Sequence, residues 1–159
     1  MKKQFLNTLL IALVGVVLVA CGGNENQNTN TDTTTVETNS TKSKADTRKV
    51  VKAYLELKDA LVASDVNQAR ISAKKLSGKA FGDVRSMSES LYATDDLKEQ
   101  RDLFNKISIA VYDDLKATNS TPITLYKQFC PMAFDNKGAF WLSEEEVIKN
   151  PYFGDEMMN

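Results

Sequence analysis

The most informative absence in this sequence is histidine, of which the 159 residues contain none. Without an imidazole, the chain has no Ser-His or Cys-His pair that could activate a nucleophile. It also has no glycine-rich loop of the kind that holds a phosphate group. Paired carboxylates such as Asp95-Asp96 and Asp113-Asp114 fall where helix caps and solvated helix faces account for them. We therefore expect a protein that is not an enzyme.

Excess positive charge is also lacking. Lys and Arg number 20 and Asp and Glu number 21, which gives a formal net charge of −1. A domain that binds nucleic acid usually carries a basic patch and a net positive charge. We therefore expect no nucleic-acid partner.

Cysteine is scarce as well, and the first of the two cysteines follows an export signal. Residues 1–20 combine Lys2 and Lys3 with an apolar run from Phe5 to Val19, the pattern of a secretory signal peptide. Leu18-Val19-Ala20-Cys21 resembles a bacterial lipobox, in which the cysteine is lipidated and becomes the mature N-terminus. Residues 1–20 are therefore predicted to be a lipoprotein signal peptide, and Cys21 is predicted to be lipidated.

The lipid would anchor the protein to a membrane without a spanning helix. Gly22 follows Cys21 at the position where an inner-membrane retention signal usually has Asp. We therefore expect an outer-membrane lipoprotein of the cell envelope that faces the periplasm. Because Cys21 would carry the lipid, Cys130 is left without an intramolecular disulfide partner.

Residues 21–45 are mostly Gly, Asn, Thr, Gln and Ser, and Val36 is almost their only apolar side chain. Such a segment cannot bury enough surface to offset the entropy lost on ordering. The composition predicts a disordered polar linker over residues 21–45. Residues 46–159 are then the folded domain, long enough for one compact core.

Apolar residues recur at helical spacing in three stretches of that domain. The first helix is predicted to begin near Asp46. Asp65 and Gln68 form a capping-box-like pair at the start of the second, and a kink or break is expected near Gly82 because glycine weakens a helix interior. The third helix is predicted over residues 96–117. A short connection between the first two helices predicts antiparallel packing.

The character of the sequence changes after Pro122. Residues 123–134 are rich in β-branched and aromatic side chains, residues 135–138 form a strong turn signal, and residues 139–142 are predicted to return as a short strand. The predicted fold is mainly α, a three- to four-helix antiparallel bundle with a small C-terminal β-hairpin or extended flap. Ser143 is predicted to cap a short acidic helical turn that Pro151 ends.

Soft sulfur donors lie near the C-terminus: Cys130, Met132, Met157 and Met158. Sulfur ligands without imidazole favour a soft monovalent ion, Cu(I) or Ag(I), over Zn(II) or Cu(II). On an extended strand, side chains two positions apart point to the same face, so Cys130 and Met132 converge if the strand continues through Pro131. These four sulfur-containing residues are the candidate metal ligands.

Packing in the core is an alternative explanation for the same cysteine and methionine residues. A free cysteine often behaves as a small buried hydrophobe, and methionine fills gaps in cores. Trp141, Tyr152 and Phe153 also have two interpretations, because they could shield a metal or bind a partner, or they could anchor the flap in the core. Both interpretations stay open at this point.

The C-terminal motifs and parts of the first and third predicted helices carry a family resemblance. The matching segments are Cys130-Pro131-Met132-Ala133, Asn136-Lys137-Gly138, Trp141-Leu142-Ser143, Asn150-Pro151-Tyr152-Phe153-Gly154, the helical run from Tyr54 to Val62 with Asp65, and the run from Arg101 to Ser108. Together they resemble the domain of unknown function 3347 family, over essentially the whole folded part of the chain. The family pattern commonly continues into a second Cys-Gly pair, which this sequence lacks.

Members of that family often accompany, or are fused to, periplasmic membrane-fusion subunits of copper and silver efflux pumps. The resemblance therefore implies a metal-associated periplasmic domain, with a heavy-metal efflux complex as its partner. The leading hypothesis is a lipid-anchored periplasmic protein that binds Cu(I) or Ag(I) transiently in support of efflux. The competing hypothesis is a non-catalytic interaction module, a helical adaptor lipoprotein with structural Cys and Met.

Overall fold

The computed structural model describes residues 34–154, with side chains from Asp46 onwards. The predicted signal peptide and the predicted ligands Met157 and Met158 lie outside the described residues, as does the predicted lipidation site Cys21. Among residues 34–154, no helix combines the length and the apolar character needed to cross a bilayer.

Four long helices are followed by a hairpin of two strands. The helices are α1 (Thr34–Val62), α2 (Val66–Ser77), α3 (Gly82–Ala93) and α4 (Leu97–Ala117). Strands β1 (Tyr126–Cys130) and β2 (Ala139–Ser143) are antiparallel, and a short helical turn, α5 (Ala133–Asn136), lies between them. Helices that follow one another in sequence pack side by side, and β2 packs on α4. The predicted fold class is confirmed.

Helix α1 begins at Thr34, well before the predicted start near Asp46. The last part of the predicted linker, residues 34–45, is therefore helical. Apolar periodicity could not detect this extension, because the segment has almost no apolar side chains. Adding turns to an existing helix requires only propagation, which is far less costly than nucleating a new helix.

Asp65 caps α2 as predicted. Its Oδ1 accepts a hydrogen bond from the backbone N–H of Gln68 at 2.9 Å. The Gln68 side chain does not complete a capping box, since its Nε2 lies 3.4 Å from Ser72 Oγ and the Asp65 N–H donates to Ala60 O at 2.9 Å. The capping interaction is therefore one-sided.

The expected interruption near Gly82 is a full break between α2 and α3. Gly82 has a φ of +53°, a left-handed conformation that glycine adopts without steric cost. The preceding residue, Phe81, is extended and provides no side-chain cap. The break leaves the Phe81 side chain 80% exposed.

Both ends of α4 follow the sequence signals. Asp96 Oδ1 accepts hydrogen bonds from the N–H groups of Lys98 and Glu99 at 2.8 and 3.0 Å. At the other end Asn119 has a φ of +46°, and its N–H donates to Lys116 O at 3.2 Å, as in a Schellman-type helix end. The helix therefore spans nearly the predicted range, residues 96–117.

The core lies between the four long helices and the inner face of the hairpin. Its largest fully buried side chains include Tyr54, Phe104 and Trp141. The rings of Tyr54 and Phe104 are stacked with centroids 5.3 Å apart. Burial of each such side chain contributes about 1.5–3 kcal/mol. Because Tyr54 and Phe104 lie on helices and Trp141 lies on β2, their shared core joins the bundle to the hairpin.

The predicted acidic helical turn after Ser143 is wrong, because residues 144–147 form bends. Ser143 Oγ still accepts a hydrogen bond from the Glu145 N–H at 3.1 Å. The carbonyl oxygens of Glu145, Glu146 and Val147 point at Gln128 Nε2. Carbonyls committed to a side chain are not available for the i to i+4 bonds of a helix.

Candidate functional site

Cys130 is the last residue of β1, where it pairs with Ala139. Its side chain is a free thiol and is 4% exposed. Along β1, Gln128 and Cys130 are buried whereas Lys127 and Phe129 are exposed, which is the alternation expected of a strand with one face on the core. The structure therefore places Cys130 where the packing interpretation requires it.

Met132 lies beyond the end of β1, and its side chain is 48% exposed. Its backbone is helical, with φ −87° and ψ −10°, so strand alternation does not extend from Cys130 through Pro131. The condition for a shared face is not met. Cys130 is in the core, and Met132 is about half exposed to solvent.

Met132 lines a cavity of about 730 Å³. The start of α4 contributes Lys98 and Arg101 to its walls, and the C-terminal segment contributes Tyr152 and Phe153. Met132 is the one sulfur-containing residue among the described residues that line it. The two terminal methionines proposed as further ligands lie outside the described residues.

Thiol and carboxylate ligands are not clustered. Within residues 46–154, no three Cys, Asp or Glu side chains come together to hold a metal ion. Residues 144–146 are exposed. Within the same part of the chain, the carboxylates thus form no evident site for Ca²⁺ or Mg²⁺, cations that need several convergent oxygen ligands.

Tyr152 anchors the C-terminal segment in the core. Its hydroxyl donates to Phe140 O at 2.7 Å. Three rings have centroids within 5.9 Å of its own: Phe104, Phe134 and Trp141. Burial raises the pKa of Tyr152 far above its usual range. Tyr152 and Trp141 are thus core anchors, as one of the two interpretations expects, whereas Phe153 is partly buried.

Gln128 is a buried polar residue that the sequence analysis did not single out. Its Nε2 lies 2.9, 3.1 and 3.2 Å from the carbonyl oxygens of Glu145, Glu146 and Val147. Among residues 46–154, its Oε1 finds no hydrogen-bond partner. The amide holds the segment after β2 against β1. The sequence signal that could have identified Gln128 as buried is its position two residues before Cys130, which places both side chains on the same face of the strand.

Lys58 was also missed, and its side chain is 2% exposed. Its Nζ forms an ion pair with Asp59 Oδ1 at 2.7 Å, as a buried lysine requires a partner for its charge. The Lys58 ammonium group also interacts electrostatically with the Glu145 carboxylate. A hydrogen bond from Lys149 is the main cause that lowers the Glu145 pKa, with Lys58 adding to it. Lys58 lies four residues after Tyr54, on the apolar stripe of α1, and this spacing was the available signal.

Residues 50–122 match the sequence model of a family described as "Protein of unknown function (DUF3347)". The predicted family resemblance is confirmed over this region, which spans most of the helical bundle. The match ends before β1, so it does not include the C-terminal motifs on which the resemblance partly rested. No curated protein and no solved structure matches the chain.

Proposed function

We propose that the protein is a non-catalytic, lipid-anchored helical adaptor of the cell envelope in which Cys130 is structural. The observation that carries this proposal is the burial of the Cys130 side chain, which is 4% exposed at the end of a strand packed on the core. A thiol that exchanges metal needs to be partly accessible and to ionise readily. The buried thiol is better suited to packing.

Exposed apolar side chains support the adaptor function. Phe81 and Ile109 are large exposed hydrophobic residues on the bundle, and both line the same cavity. Single exposed apolar residues are normal, but a set that borders a cavity is typical of an interaction site. A lipid on Cys21 would hold such a surface at the membrane, in keeping with the lipobox-like sequence before it.

Transient binding of Cu(I) or Ag(I) in support of heavy-metal efflux is the second candidate function. It is favoured by the half-exposed Met132, which lines a cavity together with Phe153. Met157 and Met158 follow only a few residues later in the sequence. In this alternative the Cys130 thiol, which is 4% exposed, must become accessible to the ion.

A Cu(I) competition titration against a chromophoric chelator distinguishes the two functions. Three variants are compared with the wild type: Cys130→Ala, Met132→Leu and the matched control Met87→Leu. The adaptor function predicts that all four proteins withdraw the same negligible amount of copper. The metal site would instead be established if the wild type and Met87→Leu withdraw stoichiometric copper and either Cys130→Ala or Met132→Leu does not.

The anchor is tested separately in cells. Wild-type protein is expected to incorporate labelled fatty acid and to fractionate with outer membranes. Cys21→Ser is expected to lose the label. Equal labelling of wild type and Cys21→Ser would refute lipidation at that residue.

A further inference from the structure

Two cavities meet beside the break between α2 and α3. One has a volume of about 330 Å³ and the other about 640 Å³. Phe81, Val84 and Asp114 line both cavities, so we treat the two together as one surface, the acidic groove. It lies along α3 and the C-terminal half of α4 and reaches α1 near Val50.

The acidic groove has apolar walls that solvent reaches. Val51, Val111 and Leu115 belong to the core and form part of its lining. Phe81 is 80% exposed at the junction of the two cavities, and Ile109 is 43% exposed on the α4 side. Leaving a large apolar side chain in water forgoes about 1.5–3 kcal/mol relative to full burial. A bound partner would recover that free energy.

Unpaired carboxylates border these apolar walls. The combined lining carries four Asp side chains and two Lys side chains. Asp46 is paired with Lys49 at 3.0 Å. Among residues 46–154, Asp83, Asp113 and Asp114 form no ion pair, and all three are exposed. The groove therefore presents an apolar floor with excess negative charge at its edges.

We propose that the acidic groove binds an amphipathic helix of a partner protein that carries Lys or Arg beside its apolar face. This proposal rests on the adaptor function and names its docking surface. A helix of that kind inserts apolar side chains into a groove at i, i+3, i+4 spacing, and its basic residues would pair with Asp83, Asp113 and Asp114. An anionic membrane surface is the wrong partner, because it would be repelled by the same carboxylates.

The probe is a fluorescein-labelled 14-residue peptide of Leu and Lys with helical periodicity that carries one photo-crosslinking residue. Its counterpart has Glu in place of Lys. The full chain, purified as the cell processes it, is titrated in nonionic detergent while fluorescence anisotropy is recorded. Mass spectrometry of the cross-linked product then identifies the residues that the peptide contacts.

The Leu-Lys peptide is expected to bind and to cross-link within residues 79–118, whereas the Leu-Glu peptide is not. Phe81→Ala should weaken binding at least about tenfold, as expected of an aromatic anchor. Its control is Ile71→Ala, which removes another large exposed side chain, 60% exposed on α2. Since both sites are exposed, both variants are expected to fold.

Charge is tested with a second matched pair. Asp113→Asn with Asp114→Asn removes two carboxylates from the acidic groove, and Asp95→Asn with Glu144→Gln removes two exposed carboxylates elsewhere. The first pair should weaken binding several-fold and reduce its salt dependence, and the second should leave binding unchanged.

Three results would overturn the assignment: equal loss in test and control variants, cross-links confined to the hairpin, or binding of the Leu-Glu peptide alone. Self-association that Phe81→Ala abolishes would instead identify a second copy of this chain as the occupant. Binding to anionic vesicles that Phe81→Ala abolishes would identify a membrane. None of these experiments measures copper binding. The adaptor function is tested separately by the Cu(I) titration, so the failure of one proposal can be distinguished from the failure of the other.

Discussion

The hydroxyl oxygen of Tyr54 accepts a hydrogen bond from the backbone N–H of Leu142 at 3.0 Å. Tyr54 belongs to α1 and Leu142 to β2, 88 positions later. The same hydroxyl lies 2.8 Å from Ser108 Oγ on α4. One fully buried phenol thus links the first helix, the last long helix and the hairpin.

Tyr54→Phe tests this link. The substitution keeps the ring but leaves the Leu142 N–H without its partner in the core. We expect a loss of about 1–3 kcal/mol in unfolding free energy, the usual cost of a buried unsatisfied polar group. Urea unfolding measures the change. Tyr92→Phe, at a residue that is 38% exposed, is the control and should change stability little; equal effects would refute the link.

Alkaline pH should destabilise the protein through Tyr54 and Tyr152. Burial raises the pKa of both hydroxyls above the usual value of about 10. Because the folded state favours the neutral phenols, their contribution is complete below the unfolded pKa and is lost as the pH rises above it. Urea midpoints are measured from neutral pH to pH 11.

The wild type should lose stability more steeply above about pH 10 than Tyr54→Phe or Tyr152→Phe. Tyr92→Phe is the control, because it removes an exposed phenol and retains both buried ones. If all four proteins show the same slope, the buried phenols are not the cause.

Gln128→Glu should loosen the segment after β2. It replaces the donating amide with a carboxylate that faces the carbonyl oxygens of Glu145, Glu146 and Val147. Leaving a buried charge unpaired costs more than losing a neutral hydrogen bond, so we expect a loss of more than about 2 kcal/mol. Hydrogen exchange should accelerate at residues 144–149.

The control for Gln128→Glu is Gln68→Glu, at an exposed position near the start of α2. It makes the same chemical change, and we expect it to leave exchange at residues 144–149 unaffected. Unchanged exchange in Gln128→Glu would show that the amide does not hold this segment.

Gly154→Ala should destabilise the protein more than Gly82→Ala does. Both glycines have positive φ, +58° and +53°. A Cβ at Gly154 would meet Arg101 Nη2 at 2.8 Å and Val62 O at 3.0 Å, whereas a Cβ at Gly82 meets nothing within 4 Å. We expect a cost of about 1 kcal/mol for Gly82→Ala and at least about 1 kcal/mol more for Gly154→Ala, by urea unfolding. Equal costs would show that the close packing around Gly154 is unimportant.

Much of the bundle was predictable because its signals are local. Caps at Asp65, Asp96 and Asn119 depend on side chains within three residues of the helix end, and the break at Gly82 depends on backbone freedom. The start of α1 was not predictable from apolar spacing. The family resemblance was confirmed for residues 50–122 but not for the C-terminal motifs.

The site was less predictable because it depends on long-range contacts. Local signals predicted a helical turn after Ser143, but Gln128 binds those carbonyls from another strand. The shared face of Cys130 and Met132 required a strand through Pro131, and the strand ends at Cys130. Phe81 lies in the break between α2 and α3 and is 80% exposed, and sequence spacing does not specify that exposure.

Cys130 is enclosed by the folded hairpin and the core beneath it, and thiol alkylation tests this enclosure most directly. The full chain is treated with N-ethylmaleimide in native buffer and in urea, and mass spectrometry follows the peptide that contains Cys130. We predict that native alkylation is at least about a hundredfold slower than in urea, since it requires opening of the core. Comparable rates in both conditions, with circular dichroism showing the bundle intact in native buffer, would contradict the account.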